Sequence, residues 1–413
     1  MNTLEKRLRA DAEAILRASI GAVKPDSAVR RALEGARFPG RVFLVAAGKA
    51  AWQMANVACK ALPALAGGVV VTKYGHVKGE IDGVACYEGG HPVPDENSLR
   101  GTAAALALTQ DLRADDTVLF LLSGGGSALF EQPLLPLAEL QDITHQLLSA
   151  GADIVEINTM RKRLSRVKGG RFAAHCAPAQ VFSIVLSDIV GDPLDMIASG
   201  PACPDRSTCA QAIAVAEKYR LRLSPQAQAL LAVETPKTLE NVTTNITGSV
   251  RELCAAAANE CRVLGYEPIL LTDCLTCEAR EAGSFLASIA KTHAGTEKSL
   301  AFLAGGETVV KLTGKGLGGR NQELALSAAP GISGLSETVV FSVGSDGTDG
   351  PTDAAGGIVD GETEEKLRAL GIRTADVLQD NDSYHALEKV DGLIVTGATG
   401  TNVNDLAMVL IRR

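Results

Sequence analysis

The stretch that decides the fold is Asp116–Phe130, which reads DTVLFLLSGGGSALF. Its apolar run, residues 118–122, predicts a buried strand. The strand runs directly into Ser123, Gly124, Gly125, Gly126 and Ser127, and the next residues predict the start of a helix. Glycines let the backbone come close to an anion, with N–H groups converging in front of a helix N-terminus. The stretch therefore predicts either a phosphate-binding turn or a simple tight turn at a strand end.

The segments on both sides of this stretch alternate between strands and helices. Apolar runs within 41–47, 67–75 and 180–186 predict further buried strands, and segments with helical apolar spacing separate them. This alternation predicts an α/β fold with a Rossmann-like, doubly wound parallel sheet and helices on both faces. In such sheets ligands bind beyond the carboxyl ends of the strands, so the loops after the strands are candidates for the site.

A second α/β domain is predicted because 413 residues are too many for one ordinary core. A polar stretch around Pro236 places the N-terminal domain at 1–236 and the smaller C-terminal domain at 237–413. The second domain is expected to have a mixed sheet, in which 299–306 and 307–314 form a hairpin around Gly305 and Gly306. The final strand, within 406–412, is compatible with either domain.

Composition excludes several classes of partner. The net charge of −8 disfavours nucleic acid and anionic lipid, and no apolar run is long enough to span a membrane. The N-terminus predicts a charged amphipathic helix rather than a secretory signal, so the chain is expected to be cytoplasmic. The nine cysteines predict free thiols, since the C-x-x-C pair Cys274 and Cys277 lacks two further zinc ligands at matching spacing.

Two groups of basic residues are candidates for anion binding. Lys49 follows the strand 41–47 at a helix start, where its charge opposes the helix dipole; it either aims at an anion or extends into solvent. The segment 161–171, RKRLSRVKGGR, carries six basic residues and no acid. An apolar stripe on its predicted helix places Arg163 and Arg166 on another face. That face either holds a carboxylate or phosphate or is simply solvated.

Acidic residues follow two other predicted strands. Asp188 comes after the strand 180–186, where a carboxylate can hold Mg²⁺ or accept a hydroxyl proton. Asp346, Asp349 and Asp353 follow the strand that ends near 344 and are separated by glycines and small residues. They predict either a site for a divalent cation or a ribose, or a network of Asx turns.

The segment 314–320, GKGLGGR, matches the pattern G-x-G-x-x-G before a predicted helix. That pattern alone is weak evidence for a dinucleotide site, and the acid expected to bind the ribose about 20 residues later is missing. Arg320 is better suited to hold a phosphate, because a guanidinium offers two parallel donors.

Nine segments taken together resemble the glycerate kinase family known as type II, or the MOFRL family. They are ordered and extend from residue 46 to residue 406, which makes the set far more specific than any one of them. In chain order they read AAGKA, GHPVPDENS, LSGGGSAL, KGGR, SDIVGDPLDMIASGP, AGGETVV, GKGLGGRNQELAL, GSDGTDGPTDAAGG and GTNVNDL.

The resemblance implies an ATP-dependent kinase that phosphorylates D-glycerate, typically to 2-phosphoglycerate, with Mg²⁺ and an active site in a cleft between two α/β domains. It implies that Lys49 and Arg320 are the catalytic cations. Phosphoryl transfer needs positioning and charge neutralisation, which suggests roles for the other candidates. Residues 123–127 and Gly316, Gly318 and Gly319 are expected to bind phosphate. Asp188 is expected to orient or deprotonate the substrate hydroxyl, and Arg163 to bind the glycerate carboxylate. Asp346 or Asp349 is expected to carry Mg²⁺.

Two other functions remain as alternatives at this stage. Members of the family have also been named hydroxypyruvate reductases, and the G-x-G-x-x-G match is the one direct support for an NAD(P)H-dependent reductase. A metabolite-binding sensor would carry a partner-binding or DNA-binding module, and the sequence predicts none. The sequence leaves open whether the chain forms a homo-oligomer.

Overall fold

The chain is organised around two sheets of six strands each. A computed structural model describes residues 3–62 and 64–413. The parallel-sheet unit comprises residues 28–187 and 192–247. The mixed-sheet unit comprises the chain up to Ser27, residues 188–191 and residues 248–413.

The parallel-sheet unit has the strand order β3-β2-β1-β4-β5-β6, and each pair from β3 through β5 is parallel. Its strands are β1 (Val42–Ala47), β2 (Gly67–Lys73), β3 (Val84–Gly89), β4 (Thr117–Leu122), β5 (Gln180–Leu186) and β6 (Val242–Gly248). Every residue of β1 and β4 is buried, as expected for central strands covered on both faces. The predicted doubly wound parallel sheet is confirmed.

Side chains of β4 show how both faces are covered. Leu119 and Leu121 join a cluster formed with helices α2 and α3 on one face. Phe120 points to the other face, where its ring centroid lies 5.6 Å from that of Phe130 and 4.9 Å from that of Phe172. Because successive side chains of β4 point to opposite faces of the sheet, helices pack on both faces. The carboxyl end of β4 and the turn that follows it therefore lie between two helical layers.

The helices of this unit follow the periodicity of the sequence, and α4, α7, α9 and α10 begin at polar caps. Asp95 accepts a hydrogen bond from the Ser98 amide, and Asp153 accepts one from the Glu156 amide, so both form capping boxes. The helices are α2 (Pro25–Leu33), α3 (Ala51–Ala61), α4 (Glu96–Leu108), α5 (Gly126–Leu129), α6 (Leu137–Ser149), α7 (Ile154–Leu164), α8 (Arg171–Cys176), α9 (Cys209–Lys218) and α10 (Pro225–Leu231).

The mixed-sheet unit has the strand order β11-β10-β9-β12-β8-β7, in which β7 and β8 are parallel and the other pairs antiparallel. Its strands are β7 (Glu267–Leu275), β8 (Leu300–Gly306), β9 (Thr338–Gly344), β10 (Gly356–Asp360), β11 (Leu393–Ile394) and β12 (Asp405–Ile411). Its helices are α1 (Thr3–Ala22), α11 (Val250–Val263), α12 (Ala279–Thr292), α13 (Arg320–Ile332), α14 (Thr363–Ala369), α15 (Thr374–Asp380) and α16 (Ser383–Glu388). In the part of the chain that is described, no helix combines the length and apolar character needed to cross a bilayer.

The structure divides the chain differently from the predicted boundary at 236/237. Strand β6 follows the polar stretch around Pro236 but belongs to the first sheet, next to β5. Helix α1 belongs to the second unit, because Leu8, Ala12 and Ile15 are buried in one cluster with residues of α11. The final strand also belongs there, since β12 lies between β8 and β9.

The predicted hairpin around Gly305 and Gly306 is wrong. Residues 307–319 form a loop after β8. Within this loop Val309 forms an isolated parallel β-bridge with Glu278. The neighbour of β8 on that side of the sheet is β12, from the end of the chain. Strand β10, which the sequence analysis did not predict, pairs antiparallel with β9.

Candidate functional site

The Ser123–Ser127 turn lies at the carboxyl end of β4, where the sequence predicted it. Gly125 has a φ of +87° and forms the N-cap of α5, a left-handed conformation that strongly favours glycine. Lys49 donates its amide to the Gly124 carbonyl at 2.9 Å, and Ser123 Oγ accepts the Ala50 amide at 3.0 Å. The ends of β1 and β4 are thus joined by direct hydrogen bonds.

The amides of this turn are available to a ligand. Within the described residues, the N–H groups of residues 124–127 have no hydrogen-bond acceptor. Such groups normally find a partner in protein or water. Several converging N–H groups of this kind form an anion-binding concavity, so the geometry is suited to phosphate oxygens.

Basic side chains border the turn. A Cβ added at Gly125 would lie 3.2 Å from Lys49 Cγ and 3.1 Å from His91 Cδ2, so both side chains pass directly over this glycine. His76 contributes Nδ1 at 2.8 Å from the Lys49 carbonyl. Burial, together with the charges of Lys49, Lys73 and His76, lowers the pKa of His91 below its ordinary value. A neutral imidazole beside a lysine can donate a hydrogen bond to an anion.

The sequence analysis did not single out His91. A signal was nevertheless available. His91 directly follows the strand β3 in GHPVPDENS, and the carboxyl end of β3 lies at the same edge of the parallel sheet as Lys49.

Arg163 does not face the site. Its side chain is fully buried, its Nη1 donates to Ser207 Oγ at 2.9 Å, and its Nη2 reaches Glu234 Oε2 at 3.3 Å. Helix α7 ends at Leu164, so the apolar stripe used to orient the segment does not continue to Val167. This corrects the prediction that Arg163 binds the substrate.

In the mixed-sheet unit, Arg320 begins α13 and is held by two carboxylates. Its Nε and Nη2 donate to Asp405 at 2.5 and 3.0 Å, and its Nη1 lies 3.0 Å from Glu307 Oε1. Burial lowers the pKa of Arg320, but its hydrogen bonds to Asp405 and the negative charges of Asp405, Glu307 and Asp349 together raise it overall. The guanidinium remains 34% exposed, so one side of it is accessible.

Asp349 is bound to the first turn of α13. Its carboxylate accepts the Asn321 amide at 3.1 Å and the Gln322 amide at 2.8 Å, and the residue is only 3% exposed. Burial raises the pKa of this carboxyl to about 6, although the two amides act in the opposite direction. Asp349 therefore caps a helix, which explains its position without a metal ion, and its role as a metal ligand stays a prediction.

The other predicted metal ligand, Asp346, forms an Asx turn. Its Oδ1 accepts the Thr348 amide at 3.0 Å, and the side chain is half-buried. Among residues 3–62 and 64–413, no group of three or more His, Cys, Asp or Glu side chains could hold a metal ion. Mg²⁺ in phosphoryl-transfer sites is often held by one or two carboxylates together with substrate phosphates. Asp346 alone fits that smaller requirement.

The glycines of the G-x-G-x-x-G segment allow a loop to pack against the segment 380–383. The Gly314 amide donates to Asn381 Oδ1 at 2.9 Å and the Gly316 amide to the Asp380 carbonyl at 2.8 Å. A Cβ at Gly316 would lie 2.4 Å from Asp382 Cβ, and one at Gly318 would lie 2.2 Å from Ser383 Oγ.

This arrangement corrects the prediction that the Gly316 amide binds phosphate. A Cβ at Gly319 would likewise lie 2.3 Å from Asp349 Cγ. Gly318 and Gly319 thus have a packing explanation, and their phosphate role stays a prediction.

Asp188 lies in the short segment of the mixed-sheet unit, after β5. Its carbonyl accepts a hydrogen bond from Asn404 Nδ2 at 3.1 Å, and the same amide group donates to Glu307 Oε2 at 3.2 Å. Asn404, which the sequence analysis did not single out, therefore connects Asp188 to the carboxylate that pairs with Arg320. The catalytic role of Asp188 stays a prediction, as does joint action of Lys49 and Arg320.

Comparisons with known proteins identify the family to which the chain is similar. Residues 11–232 match the model of a domain of unknown function, DUF4147, and residues 300–405 match the MOFRL family model. A protein from Thermotoga maritima named D-glycerate 2-kinase is 52% identical over 96% of this chain and 97% of its own length.

A solved structure gives the same result at the level of the fold. The crystal structure of a glycerate kinase from Thermotoga maritima covers 98% of this chain and 100% of its own, with a TM-score of 0.95 and 51% identity. A protein from Agrobacterium vitis, 39% identical over 90% of this chain and 87% of its own length, carries the provisional name hydroxypyruvate reductase.

Proposed function

Because the chain belongs to the glycerate 2-kinase family with a MOFRL domain, we propose that it transfers the γ-phosphoryl group of ATP to the 2-hydroxyl of D-glycerate, giving 2-phosphoglycerate and ADP. The observation that carries the proposal is the turn at residues 124–127, whose amides lack acceptors in the described chain and lie beside Lys49 and His91. Phosphoryl transfer depends on such preorganised donors more than on covalent chemistry.

Lys49 supplies a mobile positive charge at this turn. Its side chain is exposed, and no ion pair joins it to any residue that the structure describes. Its backbone, by contrast, is fixed to the Gly124 carbonyl at 2.9 Å. The backbone of Lys49 is therefore fixed, while its ammonium group remains available to neutralise a phosphate. Neutral His91 adds a donor to the same anion.

Arg320 is the second cation, and one of its two carboxylate partners can be replaced by a phosphate. The pair with Asp405 is bidentate, and Asp405 is 7% exposed, so it holds the guanidinium in place. The pair with Glu307 is solvent-accessible, since that carboxylate is 46% exposed, and exposed pairs contribute little. We propose that a phosphoryl oxygen replaces Glu307 while Asp405 keeps Arg320 oriented.

Two assignments complete the proposal. Asp188 orients or deprotonates the 2-hydroxyl of glycerate, and Asp346 holds Mg²⁺ together with the phosphates of ATP. The cation would supply charge neutralisation to the phosphates when bound. All nine cysteines are free, which supports a reducing, cytoplasmic location.

A coupled assay tests the reaction directly. Purified protein is incubated with D-glycerate, ATP and Mg²⁺, ADP release is followed, and the product is identified by ³¹P-coupled NMR. Glycerate-dependent ADP release with phosphorus coupled to the C2 proton is expected. Phosphate on C3, or no turnover with glycerate, would contradict the proposal.

A matched pair of lysine variants tests the site. Lys49→Ala should lower kcat on the order of 10³-fold, by analogy with other cations that stabilise phosphoryl transfer. Lys60→Ala is the control, because Lys60 is an exposed residue of the helix that follows Lys49. Equal activity in the two variants would contradict a catalytic role for Lys49.

The structure does not favour the reductase alternative. A dinucleotide fingerprint lies between a strand and a helix, whereas the segment 314–319 follows a loop and uses its amides within the protein. Incubation with NADH or NADPH and hydroxypyruvate, followed at the absorbance of the cofactor, should give no oxidation.

A further inference from the structure

A buried lysine lies beneath the Ser123–Ser127 turn. Lys168 is fully buried, and its Nζ donates to the carbonyl oxygens of Ser127 at 2.8 Å and Phe130 at 3.1 Å. The same ammonium lies 3.5 Å from the carbonyl of Ala198 and 3.5 Å from Glu131 Oε2. A buried amine normally requires a strong reason, since burial penalises its charged form.

The contacts of Lys168 are at the opposite end of α5 from the free amides. Helix α5 spans only Gly126–Leu129, and a single turn is unstable without tertiary contacts. In a helical turn the carbonyls point toward the C-terminus and the N–H groups toward the N-terminus. Lys168 therefore binds the carbonyl end and leaves the amide end directed away from it.

The third acceptor belongs to a strained segment. Ala198 and Ser199 have φ values of +50° and +61°, which non-glycine residues rarely adopt. The Ala198 methyl group lies against the turn, because a Cβ at Gly126 would be 2.7 Å from it. The segment is held by the Gly169 amide, which donates to the Ser199 carbonyl at 3.0 Å.

We propose that Lys168 is a positioning residue for phosphoryl transfer, which fixes the Ser123–Ser127 turn so that its amides face the phosphate. The inference rests on the proposed function, because it takes this turn as the phosphate site. It also gives a reason for the KGGR segment: its lysine binds the carbonyl end of α5, and its glycines bind the strained segment beside it.

The test separates positioning from stability. Lys168→Met leaves Glu131 buried without a cation and can fail to fold, so Lys168→Met is combined with Glu131→Gln, which removes both charges. Asp116→Asn is the control, because Asp116 is buried at the opposite end of β4 and accepts hydrogen bonds from Arg41 at 2.9 and 2.6 Å. Thermal unfolding and circular dichroism establish that each variant is folded.

In the folded double variant, kcat/KM for ATP should fall on the order of 10²-fold, as expected for a reacting group misplaced by about 1 Å. The KM for glycerate should change much less, and the control should stay within a few-fold of wild type. A folded double variant with the kcat/KM for ATP of the control would overturn the proposal. So would a change confined to the KM for glycerate.

Pyrophosphate binding by calorimetry tests the turn without turnover. The double variant should bind pyrophosphate at least tenfold more weakly than wild type. Equal binding, or no binding by wild type, would overturn the role of Lys168. If wild type binds pyrophosphate but does not phosphorylate glycerate, the proposed reaction is contradicted. In that case weaker pyrophosphate binding by the double variant would still support the positioning role of Lys168.

Discussion

Replacing Gly125 with alanine adds one methyl group to the Ser123–Ser127 turn. Gly125 has a φ of +87°, and the added Cβ would lie 3.1 Å from His91 Cδ2 and 3.2 Å from Lys49 Cγ. Both neighbours are flexible side chains, which can each withdraw by a few tenths of an ångström. The substitution therefore shifts two groups of the site and leaves their charges unchanged.

Two separate magnitudes follow from this geometry. The left-handed backbone conformation costs an L-residue about 1–2 kcal/mol in the free energy of unfolding. The side-chain contacts add little to that, since the neighbours can move. A misplacement of about 1 Å can cost 10²-fold in rate, so a shift of a few tenths of an ångström should lower kcat/KM about tenfold.

Gly151→Ala is a matched control for the backbone strain. Gly151 has a φ of +75°, and a Cβ there would have no atom within 4 Å. Urea unfolding should show a similar loss of stability in both variants. The coupled kinase assay should show lower kcat/KM in Gly125→Ala only. The reasoning holds that turnover requires Lys49 and His91 to keep their positions over Gly125. Full activity in Gly125→Ala, or an equal loss of kcat/KM in both variants, would refute it.

Two further predictions concern the mixed-sheet unit. Arg320→Met should lower the free energy of unfolding by about 2 kcal/mol, because it leaves Asp405 buried without its cation. This value is smaller than the cost of breaking a fully buried ion pair, because one-third of the Arg320 side chain is exposed and solvent screens the interaction. Adding Asp405→Asn should restore stability in urea unfolding but not turnover, and a double variant with wild-type kcat would argue against Arg320 as a catalytic cation. Burial raises the pKa of Asp349 in the folded protein to about 6 from 3.8, so its contribution to stability is complete below about pH 4 and is lost as the pH rises through about 6. Asp349→Asn should remove that part of the pH dependence, and an unchanged profile of unfolding free energy between pH 4 and 7 would show that the carboxyl titrates elsewhere.

The parallel sheet could be predicted because its strands are buried on both faces. Continuous apolar runs such as 118–122 are typical of such strands, and helix α4 before β4 begins at the recognisable cap Asp95. The positions of Lys49 and the turn followed from the same rule, since loops after parallel strands share one edge of the sheet.

The division into units could not be predicted, because it depends on contacts between distant parts of the chain. Strand β6 has the polar sequence VTTNITG and mostly partly exposed residues, so nothing in its pattern marks it as the sixth strand of the first sheet. Helix α1 and strand β12 are at opposite ends of the sequence and share one hydrophobic cluster. Local periodicity does not report such pairings.

The error at Arg163 has a different cause. Six basic residues in an acidic chain suggested a surface that binds anions, yet Arg163 and Lys168 are fully buried and paired with Glu234 and Glu131. The acids that neutralise them come from other segments, so the local charge of 161–171 does not describe its environment. The hydrogen bonds of Lys168 to the Ser127 and Phe130 carbonyls could not be predicted from the sequence of this segment.

The two glycine-rich segments illustrate what decides between packing and ligand binding. Both follow a strand or loop and precede a helix, and both contain closely spaced glycines. In the segment 314–319 the amides of Gly314 and Gly316 already have acceptors in Asn381 and Asp380. In the Ser123–Ser127 turn the amides of residues 124–127 have none among the described residues, and the Ser127 carbonyl is bound by Lys168. A glycine motif therefore indicates a close approach of the backbone, and the acceptors of its amides show whether the protein already uses those donors itself.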